Sequence, residues 1–318
     1  MNAPPLPMGE PIELRGTEPY GLLVKCLDYM DASALPFAHE TVVQLDRYMA
    51  AALQLPTTLE QTCKYLDYRY TSEPELSPSQ MLELFNMLRQ HSAGWLSLRT
   101  QCSALASALV NHAETIQALG IEVERLARTM RAIGDASLTW ETLSQLPPVG
   151  LSNEDKVILT SMASLLAECR LKISSFDKAT KAVCTGFELF RDEVRLKLIP
   201  TVQEKARALR RQPGINPGNS FFLEFITNVL DFASNDDVKQ LLSLVERLDQ
   251  TLSTAVVSSG KILSVWQAID TYLESSANRL NAIDTQQRLA MFMLYFKLFS
   301  SQWEGIQRHA NATLTAFR

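Results

Sequence analysis

The sequence predicts an all-α protein built as an elongated rod of long coiled-coil helices. Three observations predict it. From Ser77 to about Ile133, apolar residues recur at alternating steps of three and four without a break. The series opens Met81, Leu84, Leu88, His91, Trp95, Leu98, Cys102, and fourteen of its sixteen positions are apolar. A spacing of about 3.5 residues holds one narrow stripe against a partner helix. Three further seams of this kind follow: Ile158 to Leu198, Leu241 to Leu280 and Leu289 to Phe317. Only 12 glycines and few alternating β-branched runs leave little material for a sheet.

Taken in order, residues 1–16 are a Pro-rich tail, MNAPPLPMGEPIEL and two more, expected to be disordered. Thr17 to Asp31 reads as a short helix. Pro36 to Gln54 reads as another, with Val42, Leu45, Tyr48 and Ala52 on one side and Pro56 as its stop. Thr57 or Thr58 caps a third short helix through Tyr68. The linker TSEPELSPSQ ends in a helix start, with Ser77 as N-cap, Pro78 at N1 and Gln80 at N3 of a capping box. At ~1.5 Å per residue the helix that follows is roughly 85 Å long.

That helix ends near Gly134, and 135–151 is a connector with at most one helical turn. Ser152, followed by Asn153, Glu154 and Asp155, caps the next helix with acidic residues at its positive end. Gly186 and Pro200 are candidate breaks in it, since an interior proline costs about 3 kcal/mol unless the chain kinks. QPGINPGN at 212–219 is a firm stop. Asn235 or Asp236 then caps a third long helix, and Thr285 starts the last.

Composition narrows the function. The net charge of −5 speaks against nucleic acid, which wants a basic stripe. Five cysteines, Cys26, Cys63, Cys102, Cys169 and Cys184, are odd in number without CxxC spacing, the pattern of buried reduced thiols. The N-terminus has neither a basic start nor an apolar core, so no signal peptide is read there. The expectation is a protein made soluble in the cytoplasm and then released. No uncharged apolar run is long enough to span a bilayer.

No metal, cofactor or catalytic signature is found: no Gly-rich phosphate loop, no GxSxG, no HExxH. His39, His91, His112 and His309 do not pair at ligand spacing. His91 and His112 fall on the first seam, where histidines facing a polar partner are commoner than metal ligands. Glu122, Glu124, Arg125, Arg128 and Arg131 read as a solvated face. So do Lys205, Arg207, Arg210 and Arg211, with lipid head groups as the alternative contact.

Ser220 to Phe232 stands apart. Phe221, Phe222, Leu223, Phe225, Ile226, Val229, Leu230 and Phe232 crowd it, with only Glu224 and Asp231 as charges. It is either a plug for a bundle end or a concealed membrane-inserting helix, with Phe221, Phe225 and Phe232 toward lipid.

The order of these elements resembles the cytolysin A-type α-helical pore-forming toxins, and within them the two-component alpha-xenorhabdolysin branch. HSAGW at His91–Trp95 and the passage from Val265 to Phe317 carry the likeness. In length the chain is more similar to the smaller, B-type component. The resemblance implies antiparallel long helices, a tail helical bundle plus coiled-coil neck from 17–133 and 236–318, and an inserted head at 134–235. Forming that head from both the connector and the apolar helix requires a fold-back at Gly186 or Pro200. It also implies a subunit that joins a second, larger toxin subunit, oligomerises and perforates a target-cell membrane without enzymatic chemistry. The alternative is a helical scaffold or adaptor, spectrin-like or membrane-curving, which the acidic balance does not favour.

Overall fold

A computed structural model describes residues 39–135, 137–211 and 237–317. Those residues are helical, with a single antiparallel β-bridge, Gly150 to Thr285, and no strand among them. Helix α1 spans His39–Leu53 and α2 Leu59–Leu66. A 3₁₀ turn at Pro74–Leu76 leads into α3, Pro78–Arg128. A 3₁₀ turn at Arg131–Ile133 and the short α4, Trp140–Gln145, precede α5, Asn153–Glu193. A π turn at Val194–Leu198 joins α5 to α6, Ile199–Arg211. Helices α7, Asp237–Leu280, and α8, Gln286–Ala316, complete the chain.

Local signals set several helix starts. Thr58 accepts the Gln61 N–H at 3.2 Å and caps α2. At the start of α5, Asp155 takes the Ser152 N–H (3.0 Å) and the Arg131 N–H (2.7 Å), while Ser152 Oγ accepts the Asp155 N–H (3.1 Å). The capping box expected at Ser77 is not made. The Ser77 N–H is already used by the Pro74 carbonyl, and Gln80 donates to Glu83 instead.

The fold-back expected at Gly186 or Pro200 is not made either. Helical backbone passes through both positions. Gly186 lies deep in α5 because a Cβ there would come 2.4 Å from Leu98 Cδ2. Pro200 follows the π turn, in which Ile199 N–H bonds the Val194 carbonyl. The wider turn absorbs the missing N–H of proline and the clash of its ring with a carbonyl four residues back.

The described residues fall into two compact units. One takes its residues from 105–180 and 261–312. Here α3 and α8 run antiparallel: Gln117 bonds Gln307, Gly120 abuts Ser300 and Glu124 pairs with Lys297. Its core is aromatic, with Phe176 and Trp266 ring centroids 4.1 Å apart and Trp303 edge-on to Trp266 at 5.9 Å. His112 packs on Phe176 and Trp266. The Arg170 guanidinium forks onto Asp270 (2.8 and 3.0 Å) and reaches Glu274 (2.7 Å), tying α5 to α7. The connector is held here too, where Gln286 donates to Leu143 O and Val149 O, and Arg128 lies 3.8 Å over the Trp140 ring.

The second unit takes its described residues from 39–104, 181–260 and 313–317. Again α3 and α5 are antiparallel, Gly94 facing Phe190 and Leu98 facing Gly186. Helix α1 buries Val42, Leu45 and Tyr48, and the Tyr48 hydroxyl reaches His91 of α3. Asp46 accepts the Trp95 indole N–H at 2.7 Å and the Arg99 Nε–H at 3.0 Å, and Arg99 also lies over the Phe317 ring.

Candidate functional site

The apolar stretch Phe221, Phe222, Leu223, Phe225, Ile226, Val229, Leu230 and Phe232 lies outside the described residues. The structure does describe the helix that precedes it in sequence, ending at Arg211. The π turn and Pro200 start α6, which then buries Val202, Ala206 and Ala208. This leaves its cations unequal. Arg207 is exposed. Arg211 is not free: its Nε donates to Glu73 at 2.8 Å and its Nη2 to Glu75 at 3.0 Å, joining the end of α6 to the turn before α3. The side chain of Arg210 is not among those described.

Lys205 corrects the sequence reading most clearly. It is 2% exposed, and its Nζ donates to Gln80 Oε1 at 3.3 Å. In this conformation it cannot meet a lipid head group. The same contact explains the missing capping box, because Gln80 serves α6 rather than its own helix start.

Electrostatics follow from this arrangement. The Glu75 carboxyl is held below its ordinary range, first by its own backbone N–H and then by Arg211, against some desolvation. Hydrogen bonding to Glu73 raises Arg211, so Arg211 and Glu75 stay charged near neutrality. Of the cations described there, Lys205 is buried, Arg207 is exposed, and Arg211 is exposed but ion-paired. Sequence reasoning missed Glu73, Glu75 and Gln80 as partners. No local pattern could have found them, since Arg211 and Glu73 lie 138 residues apart.

The HSAGW segment, which carried the resemblance, is a packing element. His91 bonds Tyr48 and the Phe190 carbonyl, and Ser92 bonds the Arg89 carbonyl. Gly94 gives room to the Phe190 ring, 3.3 Å from where its Cβ would be, and Trp95 reaches Asp46. None of these contacts is catalytic geometry. The thiols of Cys63, Cys102, Cys169 and Cys184 are unbonded to one another. Burial pushes Cys169 up to about 11 and raises Cys102 and Cys184 as well, which leaves them protonated and unreactive. Among the described residues no three His, Cys, Asp or Glu side chains gather as a metal site. No described helix is long and apolar enough to cross a membrane.

No protein-family model matches the sequence, and no curated protein matches it. Solved structures do. Soluble SmhA of the tripartite alpha-pore forming toxin Smh from Serratia marcescens matches over 93% of this chain and 95% of its own, at 12% identity and a TM-score of 0.53. XaxA from Xenorhabdus nematophila matches over 89% and 97%, at 18% identity and a TM-score of 0.39. YaxA from Yersinia enterocolitica matches over 88% and 97%, at 15% identity and a TM-score of 0.40. With TM-scores below 0.5, the last two bear on neither an A-type nor a B-type role. The expected structural resemblance to α-helical pore-forming toxin components is found, and the chain has the all-α fold of soluble SmhA.

Proposed function

We propose that this chain is one component of a two-protein α-helical pore-forming toxin that assembles on a target-cell membrane and perforates it. The observation that carries the reading is a conjunction. The chain has the fold of SmhA, and an apolar stretch with only two charges in thirteen residues, 220–232, comes after α6 beyond the eight-residue stop at 212–219. The mechanism is binding without covalent chemistry, and the chain is not an enzyme. Apolar surface moved from water into lipid gains roughly 25 cal/mol per Å². Insertion proceeds when that gain exceeds the loss of the contacts it replaces.

Within the 134–235 head, the inserting part is the segment after α6. Helical backbone of α5, the π turn and α6 separates the connector from it. Arg207 is the head-group contact available in this conformation, and Arg211 joins it once released from Glu73 and Glu75. A second, larger subunit supplies the rest of the oligomeric pore. The chain is made in the producing cell, released, and acts at the membrane of another.

The test is dye release from phosphatidylcholine vesicles by the chain together with its larger component. Leakage is expected with both proteins and is lost when Phe222→Asp and Phe225→Asp are combined, with helicity by circular dichroism retained. Undiminished leakage by that folded variant refutes 220–232 as the inserting element. A constitutive dimer that detergent does not change, with no leakage, returns the scaffold reading.

A further inference from the structure

His91 is 1% exposed, yet both of its ring nitrogens are bonded. Nε2 lies 3.0 Å from the Phe190 carbonyl and Nδ1 lies 2.9 Å from the Tyr48 hydroxyl. A carbonyl can only accept, so Nε2 carries the ring proton. Nδ1 of the neutral ring is then an acceptor, and Tyr48 donates to it. Donation runs in one direction, Tyr48 to His91 to Phe190, and ties α1 to α3 and α3 to α5. The ring also stacks on Phe190, with centroids 3.9 Å apart and planes within 13°.

Protonation breaks this order. An imidazolium donates from both nitrogens, so Nδ1–H and the Tyr48 O–H then point at each other. Tyr48 has one other acceptor, the Leu88 carbonyl at 3.4 Å, at the long edge of hydrogen bonding. The charge would also sit in a buried site. Few groups act on it there. From α1 the facing group is Tyr48, which burial keeps protonated. From α5 it is Glu193, which favours the imidazolium, and from the π turn it is Lys197, which opposes it. Glu193 and Lys197 pair with each other at 3.0 Å, so their fields at His91 largely cancel. Arg89 of α3 turns away to the Leu53 and Leu55 carbonyls. Desolvation is left in control, and it holds His91 below its ordinary range.

We infer that the Tyr48–His91–Phe190 relay is an acid-operated clasp: protonation of His91 loosens α1 from α3 and α5. The sign follows from the burial. With α1 lifted away the ring meets water and binds a proton near pH 6.5, while in the closed unit it does not. Acid therefore favours the open form, beginning as pH falls below about 6.5, and the clasp holds above it. This inference does not depend on the proposed toxin activity.

Amide hydrogen exchange on the full chain tests it, with the protection of 39–53 read relative to α8 at pH 7.5, 6.5, 5.5 and 5.0. Relative protection of α1 is expected to be constant from 7.5 to 6.5 and then to fall by up to about tenfold per pH unit. His91→Gln keeps one donor and one acceptor but does not titrate, and its profile is expected to be flat. Constant protection in the unmodified chain, or an equal fall in His91→Gln, overturns the inference. Should that variant fail to fold, histidine ¹⁵N shifts of the unmodified chain decide. A ring still neutral at Nδ1 while α1 protection is lost overturns it, and protonation in step with that loss supports it.

Discussion

A Cβ placed on Gly120 of α3 would lie 2.9 Å from the Cβ of Ser300 in α8. A Cβ cannot rotate out of the way, so any larger residue at 120 must push α8 outward. Gly120→Ala gains about 1 kcal/mol of helix propensity and meets an overpacking cost of about 1–3 kcal/mol. A net loss of up to about 2 kcal/mol in urea unfolding is expected from these opposing terms. Gly305, in α8, has nothing within 4 Å of its would-be Cβ. Gly305→Ala should therefore stabilise by about 0.5–1 kcal/mol. Equal effects at the two positions would refute the close packing at Gly120.

Asp155 closes the start of α5 with two backbone N–H groups on its carboxylate and is 1% exposed. Asp155→Ala leaves those donors without partners and should cost about 2–3 kcal/mol. Burial pushes this carboxyl up, but the N–H groups of Ser152 and Arg131 outweigh it and hold it below the ordinary range. A lowered folded pKa means the contribution is present above the unfolded value of about 3.9. It is lost as pH falls through the folded value. Unfolding of the unmodified chain should thus steepen toward acid below about pH 4, and the Ala variant should lack that component.

Asp46 anchors α1 by accepting the indole N–H of Trp95, a residue with no exposed surface. Asp46→Ala orphans that donor and should cost about 1–3 kcal/mol. Protection of α1 amides should drop by the same factor at pH 7.5 and at pH 5.0. That pH independence sets it apart from the behaviour expected of His91. A drop confined to acid would mean that Asp46 acts through the histidine rather than through Trp95.

Arg211 pairs with Glu73 and Glu75 at the surface, where salt screens such pairs. Arg211→Ala should leave the global Tm nearly unchanged. The last turn of α6 should nonetheless exchange its amides faster, and in the unmodified chain added salt should produce the same effect. A large fall in Tm would show that the pair holds more than a helix end.

Much of this fold could be read locally. The unbroken seam of α3, the Thr58 cap and the Ser152–Asp155 start of α5 depend on residues within a few positions of each other. Helix formation is itself a local interaction. The same local reading put a capping box at Ser77 and a break at Pro200, and neither is made. Gln80 was taken by Lys205, and the break by a π turn within an otherwise continuous helix.

By itself the sequence determined that the chain is helical and where its seams lie. Only the tertiary structure decided which polar residues meet. It buried Lys205, set Arg211 on Glu73 and Glu75, and threaded His91 between Tyr48 and Phe190. The physical reason is one of range. Periodicity records which face of a helix avoids water, whereas a hydrogen bond across helices depends on register between segments that can be a hundred residues apart.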